Sequence, residues 1–223
     1  LVEPSLLSRV TAGEQQRARA MHSLRRQCEW LAGRALLRQC LAHYTGLAPL
    51  ALPVGKTEAG KPVLELPGAP AFNLSHGPGW LGCAVARAER LGLDIDSESR
   101  RNRTGEIADR YFHPQEQLLV RTGGNRAFFR SWTLKEAYIK ALGETINSLR
   151  LHELGFAADG QPLFALPAAG WYFRHEVFDA GHHLALACQW RECDTVGHLP
   201  PRCRVWFCEP DLQQREERTG SPC

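Results

Sequence analysis

The sequence predicts an α+β protein in two halves, each pairing helix with a small antiparallel sheet. Three observations predict it. Long helical patterns open each half, over residues 14–43 and again through "NRAFFRSWTLKEAYIKAL". Short apolar runs bounded by glycine, proline and polar residues follow each of them, as strands do. Between the two sets lies a polar stretch, "SESRRNR", which puts the boundary near residues 97–104 and divides the chain into 1–96 and 97–223. At 223 residues, 43% hydrophobic and 23% charged, the chain suits one sizeable core or two small ones.

In chain order, the first helix runs from Glu14 to about His43, with Leu31, Ala35, Leu36 and Leu41 as an apolar stripe and Gly46 near its stop. The Pro- and Gly-rich "PLALPVGKTEAGKPVLELPGAP" excludes a long helix and reads as turns with short strands. "AFNLSH", "LGCAVAR" and "RLGLDID" read as strands, the last two joined by a tight "AER" connection in the manner of a hairpin. "TGEIADRYF" and "PQEQLLVRT" read as two helices, the second opened by Pro114 at a permitted first-turn position. "NRAFFRSWTLKEAYIKAL" is a further helix that Gly143 ends. "WYFRHEVF", "HHLALACQW" and "CRVWFC", rich in aromatic and β-branched residues, are strands, and the polar tail "DLQQREERTGSPC" frays.

No apolar run approaches the ~18 residues that span a bilayer, and no secretory-type series opens the chain. A cytoplasmic protein without a membrane partner is expected. Leu1 at the start and Met21 as the sole methionine imply a trimmed natural start. The net charge of +3 is too small to argue for nucleic acid, although Arg17, Arg19, Arg25, Arg26, Arg34 and Arg38 cluster on the first helix. Eight cysteines without an export signal read as reduced thiols. Cys188, Cys193, Cys203 and Cys208 lack the tight CxxC pairs of most structural zinc sites, and Cys188 and Cys208 close strand-like runs.

Three constellations carry chemistry. In "LGLDID" strand alternation sends Asp94 and Asp96 to one face and Leu93 and Ile95 to the other. Two carboxylates on one face raise each other's pKa unless a cation stands near, and oxygen-only ligands favour a hard ion such as magnesium. An exposed strand end is the competing reading of a lone DxD. In "SWTLKEAYIK" Trp132, Glu136 and Lys140 are spaced four apart and line one helix face, so Glu136 can complete a three-acid site while Lys140 neutralises a phosphate oxygen. A surface Glu/Lys pair has the same spacing. In "FNLSHG" Ser75 and His76 close a strand beside a glycine that admits a ligand, and "GKP" at 60–62 is a turn that exposes Lys61.

Taken in order, "GKP", "FNLSHG", "LGLDID" and "FFRSWTLKEAYIKALG" resemble the 4′-phosphopantetheinyl transferases of the monomeric two-subdomain type, over about residues 28–190. The resemblance implies a pseudo-dimer of two similar α/β subdomains, with coenzyme A in the cleft and the first subdomain on the coenzyme A side. It implies transfer of the phosphopantetheine arm to a serine of an apo acyl or peptidyl carrier, with 3′,5′-ADP as the other product. Magnesium is the implied cation, manganese a possible substitute. Carried over by position, Asp94, Asp96 and Glu136 are the metal acids, Glu136 is also the base for the incoming serine, and Lys140 holds the phosphate under attack. Ser75 and His76 contact coenzyme A phosphates, Lys61 lies by the nucleotide and Lys135 is a further phosphate neighbour. Glu116 falls where the family often has an acid after an aromatic pair.

This chain departs from the pattern at Asp96, where the family usually has Glu, so that carboxylate reaches less far. Arg17, Arg25, Arg26 and Arg34 are candidates for the 3′-phosphate without a clear match. Two other classes compete with a transferase: a magnesium-dependent pyrophosphate-cleaving enzyme using the same acids, and an inactive module that holds coenzyme A or a carrier. The motifs leave the carrier and its pathway open.

Overall fold

The computed structural model describes residues 4–57, 60–100, 103–146, 151–164, 166, 169–179, 181–190, 204–208 and 214–215. It is an α+β fold of five helices and nine strands among these residues. The helices are α1 (Pro4–Leu7), α2 (Ala12–Arg19), α3 (Leu24–Thr45), α4 (Thr104–Tyr111) and α5 (Pro114–Leu142). The strands are β1 (Val54–Lys56), β2 (Pro62–Leu64), β3 (Ala71–Gly77), β4 (Trp80–Ala86), β5 (Arg90–Ser97), β6 (Trp171–Phe178), β7 (His182–Gln189), β8 (Arg204–Cys208) and β9 (Gln214–Arg215). Cys193, Cys203 and most of the polar tail lie outside the described residues.

The helix expected over 14–43 is broken. Ser23 caps a new helix, its hydroxyl accepting from the Arg26 amide, and α2 folds back on α3. The reason is electrostatic. Glu14 closes the α2 capping box with Thr11 and also receives Arg34 Nε at 2.7 Å and Arg38 Nε at 2.8 Å from α3, a buried triad that a continuous helix could not form. Burial pushes the Glu14 carboxyl up, but hydrogen bonds from Arg38, the Thr11 amide and Arg34 overcome it and bring the pKa down to about 2.

Three sheets form. The strands β1 and β2 pair alone, β3-β4-β8-β9 make the second, and β5-β7-β6 the third, all antiparallel. The expected hairpin between "LGCAVAR" and "RLGLDID" is corrected: β4 pairs with β3 across the turn after Gly77, while β5 leaves that sheet and pairs with β7. Alternation explains the separation. Leu81, Cys83 and Val85 pack with Leu37, Leu41 and Phe72 beneath α3, whereas Ala84 and Ala86 meet Leu91, Leu93, Ile95, Leu184 and Leu186 of the other sheet. Both faces of β4 are buried, and β5 lies across it rather than beside it.

The far face of the third sheet carries α5, through Leu134, Ala137, Tyr138 and Ala141 against Phe173, Ala185 and Ala187. The order is therefore helix, sheet, sheet, helix. The expected division at 96/97 falls inside β5, whose ladder belongs to β7, and β8 returns from the second half to pair with β4. Hydrogen bonding therefore runs across that boundary. Helix α5 is two legs, as the sequence suggested, joined at Gly124, whose φ of 60° and ψ of −146° no other residue adopts easily. A straight helix would hold Glu116 and Lys135 about 28 Å apart, yet their side chains meet at 2.8 Å. The legs double back on each other over Phe112, Val120, Phe128 and Phe129.

Candidate active site

The last leg of α5 crosses β5 at unusually short range. A Cβ at Gly92 would stand 1.9 Å from the Ala137 carbonyl oxygen, so glycine is what lets strand and helix approach. That contact brings the two carboxylates of β5 to the Glu136 and Lys140 face of the helix. Asp94 and Asp96 are buried on this face, while Leu93 and Ile95 lie in the core opposite, as alternation requires.

Lys140 ties the site together. Its Nζ donates to Asp94 Oδ1 at 2.6 Å, to Ser75 Oγ at 3.1 Å and to the Leu93 carbonyl at 3.2 Å, which uses all three ammonium protons. The Ser75 hydroxyl donates to Asp94 Oδ1 at 3.2 Å and accepts from the Ile95 amide at 3.0 Å. Its one proton and both lone pairs are thus taken. With Asn73, whose Oδ1 accepts from the Leu93 amide, Ser75 holds β5 against β3 by side chains where no ladder exists. Lys61 reaches across from the first half to donate to the Lys140 carbonyl at 3.1 Å, and burial, with Arg90 nearby, lowers its pKa.

Asp96 accepts from Arg100 at 3.0 Å and from the Ser97 amide at 2.8 Å. Its pKa is raised: burial outweighs these contacts, and the Asp94 charge adds to it. Glu136 is the least compensated acid. Burial pushes it up to about 7, Asp94 and Asp96 push the same way, and Lys140 pulls back only in part. The donor set is therefore three carboxylates against Lys140 and Arg100, which leaves an excess of negative charge at Glu136. A hard divalent cation fits that chemistry. Among the described residues, however, no three such side chains already enclose an ion. Asp94 and Asp96 each turn toward the nearest basic group, since a buried carboxylate takes whatever cation is at hand.

His76 is exposed, on the opposite side of β3 from Ser75. Lys135 does not reach the site, which corrects the expectation that it neighbours a phosphate, and Glu116, the weaker candidate, is buried with it. One residue turns a helix by about 100°, so Lys135 points away from Glu136. Fully buried, it pairs with Glu116 at 2.8 Å and donates to the Leu151 and Leu154 carbonyls. Burial pushes Glu116 up and Lys135 down, and each draws the other back. Arg34 is likewise committed to Glu14, Arg25 pairs with Glu29, and Arg17 lies 5.8 Å from the Trp30 ring centre. Arg26 is exposed near the start of α3. Sequence reasoning missed Arg100, which lies in the turn after β5, and Asn73, although Asn73 stands inside the "FNLSHG" motif two residues before Ser75.

The sequence model of the "4'-phosphopantetheinyl transferase superfamily" matches residues 90–187, the stretch with Asp94, Asp96, Glu136 and Lys140. The 4'-phosphopantetheinyl transferase HetI of Nostoc sp. is 31% identical over 74% of this chain and 73% of its own length. A 4'-phosphopantetheinyl transferase of Bacillus subtilis is 30% identical over 83% of this chain and 84% of its own. A phosphopantetheinyl transferase of Thraustochytrium sp. is 30% identical over 84% of this chain and 72% of its own.

Proposed function

The chain belongs to the 4′-phosphopantetheinyl transferase superfamily, and we propose that it transfers the phosphopantetheine arm of coenzyme A to a serine hydroxyl of an apo carrier protein, with 3′,5′-ADP as the other product. The observation that carries this reading is the meeting of β5 and α5, which sets Asp94 and Asp96 beside Glu136 and Lys140.

Asp94, Asp96 and Glu136 are the residues that would hold a divalent cation, magnesium or manganese. When bound, such an ion neutralises charge on the pyrophosphate and on the leaving 3′,5′-ADP. Lys140, held over Asp94 and about one-third exposed, is poised to exchange that partner for a phosphate oxygen. Ser75 can make the same exchange. Exposed His76 offers a further donor to a coenzyme A phosphate, and Lys61, which reaches the Lys140 carbonyl, is the residue we assign to the nucleotide end. Glu136, beside Asp94 and Asp96, is the carboxylate that would take the proton of an incoming serine.

Asp94→Ala and Glu136→Ala test the assignment. Each is expected to abolish transfer while the folded chain keeps its far-UV signature. Near-normal kcat in either variant would remove that residue from the site. No helix among the described residues is long and apolar enough to cross a membrane. A monomeric cytoplasmic enzyme, with Cys28 and Cys40 kept as thiols, belongs to the same reading.

A further inference from the structure

A second cluster of polar groups lies outside this site. Arg126, Arg130, Asp159 and His175, with Ala158 and Val177, line a cavity of about 250 Å³ at the β6 side of the third sheet. The acid site lies at β5, two strands away. Arg126 and Arg130 are four residues apart and share a face of α5, and Glu136, six residues beyond Arg130, is turned by about 240° from it. The two sites therefore open on different faces of the helix.

The cavity is lined by two arginines, Arg126 exposed and Arg130 half-buried. Arg130 Nε is buried with no hydrogen-bond partner. Burial lowers the Arg130 pKa, the Glu116 charge draws it back in part, Arg126 lowers it further and Asp159 raises it. Asp159 itself accepts from the Gln161 amide at 3.0 Å. His175 adds no charge near neutral pH: burial, then His183, Arg130 and Arg126, push it down to about 4. Its Nε2 meets His183 Nδ1 at 2.9 Å, and His183 Nε2 meets Glu98 Oε1 at 3.0 Å, so the imidazole pair is fixed from behind by a carboxylate. Two guanidinium groups thus face one acid across a small space, where an isolated buried donor costs stability unless something accepts from it.

We propose that this cavity is an anion site that takes a single oxyanion group, a carboxylate or phosphate, carried either on the protein substrate or free in solution. Planar guanidinium forks suit both groups. A volume of about 250 Å³ accommodates one side-chain head or one small ion. The protein-borne source rests on the transferase reading, and the free-ion source does not.

The test compares the wild-type chain with an Arg126→Gln/Arg130→Gln variant. Inorganic phosphate is titrated by calorimetry with coenzyme A in excess, and transfer to apo carriers is followed in parallel. With a carrier side chain as the source, the variant raises the carrier KM about tenfold and leaves kcat and the coenzyme A KM unchanged. With a free ion as the source, phosphate affinity falls at least tenfold in the variant and the carrier KM does not move. Equal phosphate affinity together with an equal carrier KM overturns the proposal. If wild-type protein modifies no carrier, the transferase reading fails, and the phosphate titration alone decides the cavity.

Discussion

Gly92→Ala probes the contact on which the site depends. The added Cβ would stand 1.9 Å from the Ala137 carbonyl oxygen and 2.6 Å from the Ala141 amide nitrogen, both backbone atoms that no rotamer change can move. Ordinary contact distance is about 3.5 Å, so β5 and α5 must part by about 1.5 Å. Overpacking against rigid backbone costs about 3 kcal/mol, which in a chain of this size lowers Tm by about 6–12 °C. The larger effect falls on function, because β5 carries Asp94 and Asp96 and α5 carries Glu136 and Lys140. A displacement of that size between reacting groups reduces kcat about 100-fold. Thermal unfolding and carrier transfer kinetics measure the two effects. Gly105→Ala in α4, where a Cβ meets nothing within 4 Å, serves as control and keeps both values. A Gly92→Ala protein with Tm within about 2 °C of wild type and unchanged kcat would refute the close approach.

Glu14→Gln leaves Arg34 and Arg38 buried without their counter-charge and is expected to cost about 3–5 kcal/mol in urea unfolding. Because Glu14 titrates at about 2 when folded against an ordinary 4.5, its stabilisation is complete above 4.5 and fades as pH falls toward 2. The variant should lose that part of the acid limb, and an unchanged pH profile contradicts the triad. Lys135→Met should destabilise by a similar ~3–5 kcal/mol and leave the coenzyme A KM alone, whereas a KM rise with intact stability would return Lys135 to the site. Lys140→Ala should lower kcat by about 100-fold, read by steady-state transfer, and an effect on KM alone would make it a binding residue only. His76→Ala should act mainly on the coenzyme A KM, and a pure kcat loss would reassign it.

Strand alternation made the Asp94/Asp96 face legible, because a period of two leaves one choice once Leu93 and Ile95 enter the core. Helical spacing did the same for Glu136 and Lys140. The two-leg α5 was legible too, since Gly123 and Gly124 interrupt its pattern. What the residues could not tell was which distant groups satisfy a buried charge. Lys135 and Glu116 pair across a helix reversal, and Arg34 and Arg38 turn to Glu14 once α2 folds back. Lys135, Lys140 and Arg34 each looked available for phosphate until the fold supplied a carboxylate. Strand partners were hidden for a related reason: β4 and β5 are adjacent in sequence, but β4 is buried on both faces, so β5 stacks on it and pairs with β7.

Whether the acids of β5 and α5 serve phosphopantetheine transfer is read from the intact mass of apo carrier proteins after incubation with this chain, coenzyme A and magnesium. A gain of one phosphopantetheine on a single carrier serine is expected, absent with EDTA and absent for Glu136→Ala. Hydrolysis of coenzyme A with every carrier mass unchanged, or modification that persists in EDTA, would contradict it.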